Sequence, residues 1–165
     1  MGTKEVALVI MEQGARWPAD VAELQATVSR AVVDAQQPEE SPKVFASRVV
    51  RRIQRFVDAG EAPVQVVLST TESRCPDCAA ARYKIARAVL AAMADRRNGQ
   101  LVLFADHSVS DDIRHELFAF AGALCEGLSG SDVGVSVRFS TPSGKSGTHS
   151  VRPQALSEPS TAELA

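Results

Sequence analysis

The sequence predicts a three-layer α/β domain, Rossmann-like, with a mostly parallel sheet of about four strands and helices on both faces. Three observations predict it. Short apolar runs recur at Val6–Met11, Val64–Leu68, Leu101–Ala105 and Val133–Val137, as strands buried by flanking helices require. The segments between them place apolar residues at helical spacing, and parallel neighbours need such crossovers. The chain has 165 residues, enough for one domain with a core that stands without staples.

Val6–Met11 is read as the first strand; it has no small-residue cleavage site, so it is not a signal peptide. Pro18 suits a first helical turn, and Val21, Leu24, Val28, Val32 and Ala35 follow at helical spacing until Gln37-Pro38. Ser41-Pro42 repeats the start signal, with Phe45, Val49, Ile53, Phe56 and Val57 as the apolar face and Gly60 at the end. Two helices are thus expected between the first strand and the second, Val64–Leu68. A third runs from Pro76 to about Arg97 on Ile85, Val89 and Met93 and stops at Asn98-Gly99. After the strand Leu101–Ala105, Ser110 or Asp111 caps a helix with Ile113, Leu117, Phe120, Ala121, Leu124 and Leu128 inward. Val133, Val135 and Val137 alternate in the last strand. Residues 1–140 form the expected domain, and the Ser/Gly/Pro/Thr-rich 141–165 reads as a disordered tail.

Lys+Arg is 18 against Asp+Glu 20, a formal charge of −2, which argues against a large basic footprint for nucleic acid. No apolar stretch approaches the 18 or so residues that span a bilayer, so a cytosolic protein is expected. There, the three cysteines Cys75, Cys78 and Cys125 are thiols by default.

Ligands of open parallel sheets bind beyond the carboxyl ends of the strands. That rule selects Glu12 and Gln13, then Ser69 to Cys78 with Thr70 and Thr71, then Asp106, His107 and Ser108. Cys75-Pro76-Asp77-Cys78 is the strongest motif. It opens a helix, whose N–H groups favour a thiolate at Cys75, helped by Arg74 and opposed by Asp77. A second thiol at this spacing can resolve a mixed disulfide. Over Val64 to Val137 the chain resembles the thioredoxin and glutaredoxin family in its strand, Cys-Pro-x-Cys, helix, strand, helix, strand order. The resemblance implies Cys75 as nucleophile and Cys78 as resolving thiol. The same pair with His107 gives three ligands of a zinc site, the fourth being Asp106, Glu72 or water.

Other motifs fail. Gly144-Lys145-Ser146 is no P-loop, because the glycine due five positions earlier is Phe139. The first strand is followed by no Gly-x-Gly-x-x-Gly, and no serine lies in a nucleophile elbow. Arg48, Arg51, Arg52 and Arg55 make a basic helix side that can meet an acidic partner, without interleaved aromatics for base stacking. The expectation is therefore a small α/β domain that binds a protein partner or small ligand at the carboxyl edge of its sheet. A dithiol oxidoreductase and a zinc protein are the alternatives.

Overall fold

The computed structural model describes residues 4–18, 30–73, 75–128 and 131–140, and the backbone of 146–151. Its strands are β1 (Lys4–Met11), β2 (Arg30–Ala35), β3 (Glu61–Ser69), β4 (Asn98–Ala105), β5 (Asp132–Ser140) and β6 (Ser146–Val151). Helices α1 (Pro42–Asp58), α2 (Pro76–Arg96) and α3 (Asp111–Cys125) precede β3, β4 and β5 in turn. The sheet order is β2-β1-β3-β4-β5-β6. All pairs are parallel except β5 with β6.

Each helix starts where the chain supplies a cap. Ser41 and Ser110 accept the N–H of Val44 and Ile113 at 3.2 and 3.3 Å, contacts worth about 1 kcal/mol each. At α2 the cap is Cys75, and the helix ends on Arg97 in the left-handed region with φ 56°. Val6 to Ile10 are fully buried, as the continuous apolar run requires.

The described helices pack on one face of the sheet. Leu8, Ile10, Val66, Leu68, Leu101, Leu103, Val135 and Val137 meet the buried sides of α1, α2 and α3 in one core. Val67, Val102 and Phe104 form a second cluster on the other face.

Two segments differ from the sequence reading. The expected helix from Pro18 to Gln37 is in its last part strand β2, paired with β1 from Val6↔Arg30 to Met11↔Ala35. Val28 and Val32 are four apart, a spacing that puts side chains on one face of a helix and of a strand alike, so periodicity could not separate the two. The Val32-Val33 pair favours the strand. The part of that helix at 19–29 lies outside the described residues. Within the expected tail, Ser146–Val151 pairs antiparallel with β5, so the sheet has six strands. Residues 141–145 and 152–165 lie outside the described residues. No described helix is long and apolar enough to cross a membrane.

Candidate functional site

β1 has β2 on one side and β3 on the other, so the chain leaves its carboxyl end in two directions. Such a switch point opens a crevice beyond the strands. Here it is a cavity of about 230 Å³, lined on its polar side by Glu12, Gln13, Glu40, Thr71 and Arg82. Phe45 of α1 and Ile85 of α2 also line it.

Its central contact joins β1 to α2. Arg82 Nη2 donates to Glu12 Oε1 at 2.7 Å and to Thr71 O at 3.1 Å, and Arg82 Nε donates to the other Glu12 oxygen. The N–H and hydroxyl of Thr71 also donate to Glu12 Oε1, at 2.9 and 3.2 Å. Both side chains are nearly buried, 11% exposed for Glu12 and 14% for Arg82. Two planar groups in fork geometry thus fix the loop after β1 against α2.

A second network backs the crevice from β2. Arg48 donates to Glu40 through Nε and Nη2, both at 2.8 Å, and to the buried Asp34. Arg52 Nη1 lies 3.6 Å from Asp34. The Arg48 hydrogen bond holds the Glu40 carboxyl below its ordinary range, and the Glu40 and Asp34 carboxylates raise the Arg48 pKa. The basic stripe is therefore divided. Arg48 and Arg52 turn to Asp34 and lie over Phe45 and Phe56, while Arg51 and Arg55 have no ion-pair partner among the described residues.

Asp106 and His107 belong to a separate cluster at the ends of β4 and β5. Asp106 accepts from Ser140 Oγ and Ser108 Oγ, both at 2.7 Å, from His107 N at 2.9 Å and from Arg16 Nη1 at 3.0 Å. The Ser140 bond first, and then the Ser108 bond, hold its carboxyl well below the usual carboxylate range. Asp, His and Ser side chains meet here without forming a proton relay. His107 Nδ1 faces both Asp106, at 3.0 Å, and Ser140, at 3.3 Å, whereas a relay needs one ring nitrogen for each. Thr70 is buried, and its N–H and hydroxyl both donate to Phe104 O.

Cys75 and Cys78 are joined in a disulfide, in place of the free thiols expected of a reducing compartment. The bridge closes a loop within one helical turn. In the chain-entropy account that is worth about 2 kcal/mol, against about 4.7 for a 100-residue loop, and it links no two elements. Cys75 is exposed, and its Sγ accepts the Cys78 N–H at 3.1 Å. Cys78 is half-buried, lines the crevice, and has Ser73 Oγ 3.2 Å from its Sγ. Arg74 lies outside the described residues. Cys125 is buried on α3, where burial pushes its thiol up.

The zinc site at Cys75, Cys78 and His107 does not form. The two sulfurs bond each other, His107 sits with Ser140, and no group of three or more His, Cys, Asp and Glu able to hold a metal occurs among the described residues. Of the residues selected from sequence, Glu12, Gln13, Thr71, Ser73 and Cys78 share the crevice. Arg82 and Glu40, not picked, complete it. Arg82 stands four residues after Cys78 and three before Ile85, so a polar residue interrupting that helix side was the available signal.

The fold and the crevice define an α/β domain with a cleft at the carboxyl edge of the parallel strands of its sheet. No model of a known protein family matches the chain, and no curated protein matches it. Among solved structures it is similar to a metagenomic short-chain oxidoreductase crystallised with NADP. The two are 11% identical with a TM-score of 0.53 over 95% of this chain and 88% of that one. A GDP-L-fucose synthetase from Naegleria fowleri is 9% identical, with a TM-score of 0.45 over 86% of this chain and 51% of that one. The first likeness shows the Rossmann-like fold. The resemblance to the thioredoxin family accordingly reaches the strand, motif and helix around Cys75 and not the sheet as a whole.

Proposed function

We propose that this chain is a binding domain that takes a small polar ligand, neutral or cationic, in the crevice at the β1/β3 switch point. The observation that carries the reading is the placement of that cavity beyond the carboxyl ends of the strands, with convergent polar groups on an apolar floor. Its volume of about 230 Å³ is below the range of about 300–1,000 Å³ usual for drug-sized ligands, which favours a compact molecule.

The ligand of the oxidoreductase neighbour does not fit the same place. A pyrophosphate needs backbone N–H donors from a glycine-rich turn, and the β1 exit reads Glu12-Gln13-Gly14-Ala15-Arg16. Two carboxylates, Glu12 and Glu40, line the crevice, and the guanidinium that lines it, Arg82, is already engaged by Glu12. Glu40 is likewise engaged by Arg48, so a further anion finds no unengaged cation among the described residues that line the crevice, whereas an ammonium, guanidinium or amide group meets carboxylate and amide oxygens.

The test compares agmatine and NADP by thermal shift and calorimetry. A ligand at 100 times its Kd adds about 2.7 kcal/mol, or roughly 5–11 °C in Tm at this chain length. Agmatine is expected to raise Tm and NADP to leave it unchanged. Gln13→Trp, which fills the mouth from an exposed position, should abolish the agmatine effect. A shift with NADP alone, or an agmatine shift that survives Gln13→Trp, refutes the reading.

A further inference from the structure

We propose that the outer edge of β2, overhung by α1, docks an extended peptide that alternates acidic and apolar residues and adds to the sheet as a further strand. β2 stands at the end of the sheet order, and no described strand pairs with its outer side. Gln36 N–H donates to Met11 O, so the peptide groups of Arg30, Val32 and Asp34, two apart along the strand, also turn to β1. Those of Ala31, Val33 and Ala35 turn outward. Ala35 O is accordingly met by side chains, Arg48 Nη2 at 3.0 Å and Gln37 Nε2 at 3.2 Å. The N–H and C=O groups of Ala31 and Val33 have no such cover among the described residues and form an open template for a pairing strand.

The surroundings of that edge select the side chains of the peptide. α1 runs back along β2, with Arg48 on Asp34 near one end and Phe56 under Arg30 at the other, so its arginines stand in a row beside the strand. Arg30 is engaged by Glu61, Arg48 by Glu40 and Asp34, and Arg52 by Asp34. Arg51 and Arg55 follow Arg48 and Arg52 by three residues each, which places them on the same side of α1, exposed and unopposed by any described carboxylate. Four residues of helix advance about 6 Å and two residues of strand about 6.8 Å, so this pair matches acidic side chains two apart on an added strand. The residue between them points to the opposite face of the sheet, where Val33 is 44% exposed and an apolar side chain covers it. The surplus of guanidinium favours acidic residues, and the strand edge favours a polypeptide over a nucleic acid, which brings no peptide ladder. Ala31, Val33, Arg51 and Arg55 do not line the crevice, so this surface is independent of the ligand proposed there.

The experiment follows a fluorescein-labelled octapeptide of alternating glutamate and valine by fluorescence anisotropy as the full chain is added. Saturable binding is expected, and a peptide with the same residues in two blocks should bind about tenfold more weakly. Two further peptides keep the charge and carry N-methyl groups on the glutamates alone or on the valines alone. One of them loses the N–H groups that face β2 and should not bind, while the other keeps them and should bind as the parent does. Arg51→Glu with Arg55→Glu should weaken binding about tenfold, from two lost charge pairs and the repulsion that replaces them. Val33→Pro removes an outward N–H and should abolish binding with circular dichroism unchanged. The methylated peptides test the same contact on the unaltered chain. Equal binding of the two methylated peptides overturns the proposal, as does a block peptide or an oligothymidylate bound as tightly as the alternating peptide, or no binding of the alternating peptide.

Discussion

Removing Arg82 tests whether the crevice is held by the contact at its centre. Arg82→Met keeps most of the side-chain volume and deletes three hydrogen bonds, two to Glu12 and one to Thr71 O. Glu12, 11% exposed, then keeps only the Thr71 N–H and hydroxyl. Breaking one side of a buried ion pair costs about 3–5 kcal/mol, and because this pair borders an open crevice water offsets part of the loss, giving about 3 kcal/mol. At this chain length that is roughly 6–12 °C in Tm. Glu12→Gln should cost less, since its amide oxygen still accepts from Thr71. In the double variant the stranded charge disappears, so the two losses should fail to add by 1 kcal/mol or more. Urea unfolding of the four proteins measures the cycle. A loss below about 1 kcal/mol for Arg82→Met, or additivity within about 0.5 kcal/mol, refutes this account of the crevice.

Two further outcomes follow from the neighbouring networks. Asp106 has a folded pKa below its unfolded value of about 3.9, so its stabilisation is fully present above that value and is lost as pH falls through the folded pKa. Acid unfolding of wild type should therefore steepen below about pH 4 relative to Asp106→Asn, and matching acid limbs would remove the Ser140 and Ser108 bonds as the cause. On α1, Arg48→Met leaves the buried Asp34 only the 3.6 Å contact with Arg52 and should cost about 3 kcal/mol, whereas Arg51→Glu with Arg55→Glu should stay within about 0.5 kcal/mol each. If an acidic protein surface is the partner of that helix, only the latter pair should weaken its capture, and equal stability losses at all the positions would contradict the division of the stripe.

Much of this architecture was legible because the apolar runs were continuous. Val6–Met11, Val64–Leu68, Leu101–Ala105 and Val133–Val137 are all parallel core strands, and Ser41-Pro42 and Ser110 mark true helix starts. β2 was hidden by its own composition. An edge strand whose buried position is Asp34 carries no apolar alternation, and its acidity is matched by arginines from α1. β6 was hidden by its weak apolar content, Ser-Gly-Thr-His-Ser-Val. Part of the site was readable from the strand-exit rule, which found Glu12, Gln13, Thr71, Ser73 and Cys78. The rule could not say which exits converge, and strand order sends Asp106 and His107 to another cluster. Whether two cysteines are joined depends on redox conditions as well as on spacing, so the bridge lay beyond composition.

The central position of β1 bears on how the protein is made. Its core run, Val6–Ile10, pairs on one side with β2 and on the other with β3, which ends at Ser69. From Met11 to Ser69 is 58 residues, and ribosomes add about 5–20 residues per second, so that edge waits roughly 3–12 s for its partner. During that interval a fully apolar strand is open to solvent or to whatever shields nascent chains. A chain halted after Asp58 should accordingly aggregate or be degraded on synthesis, and its accumulation as a soluble monomer would show that β1 has another cover.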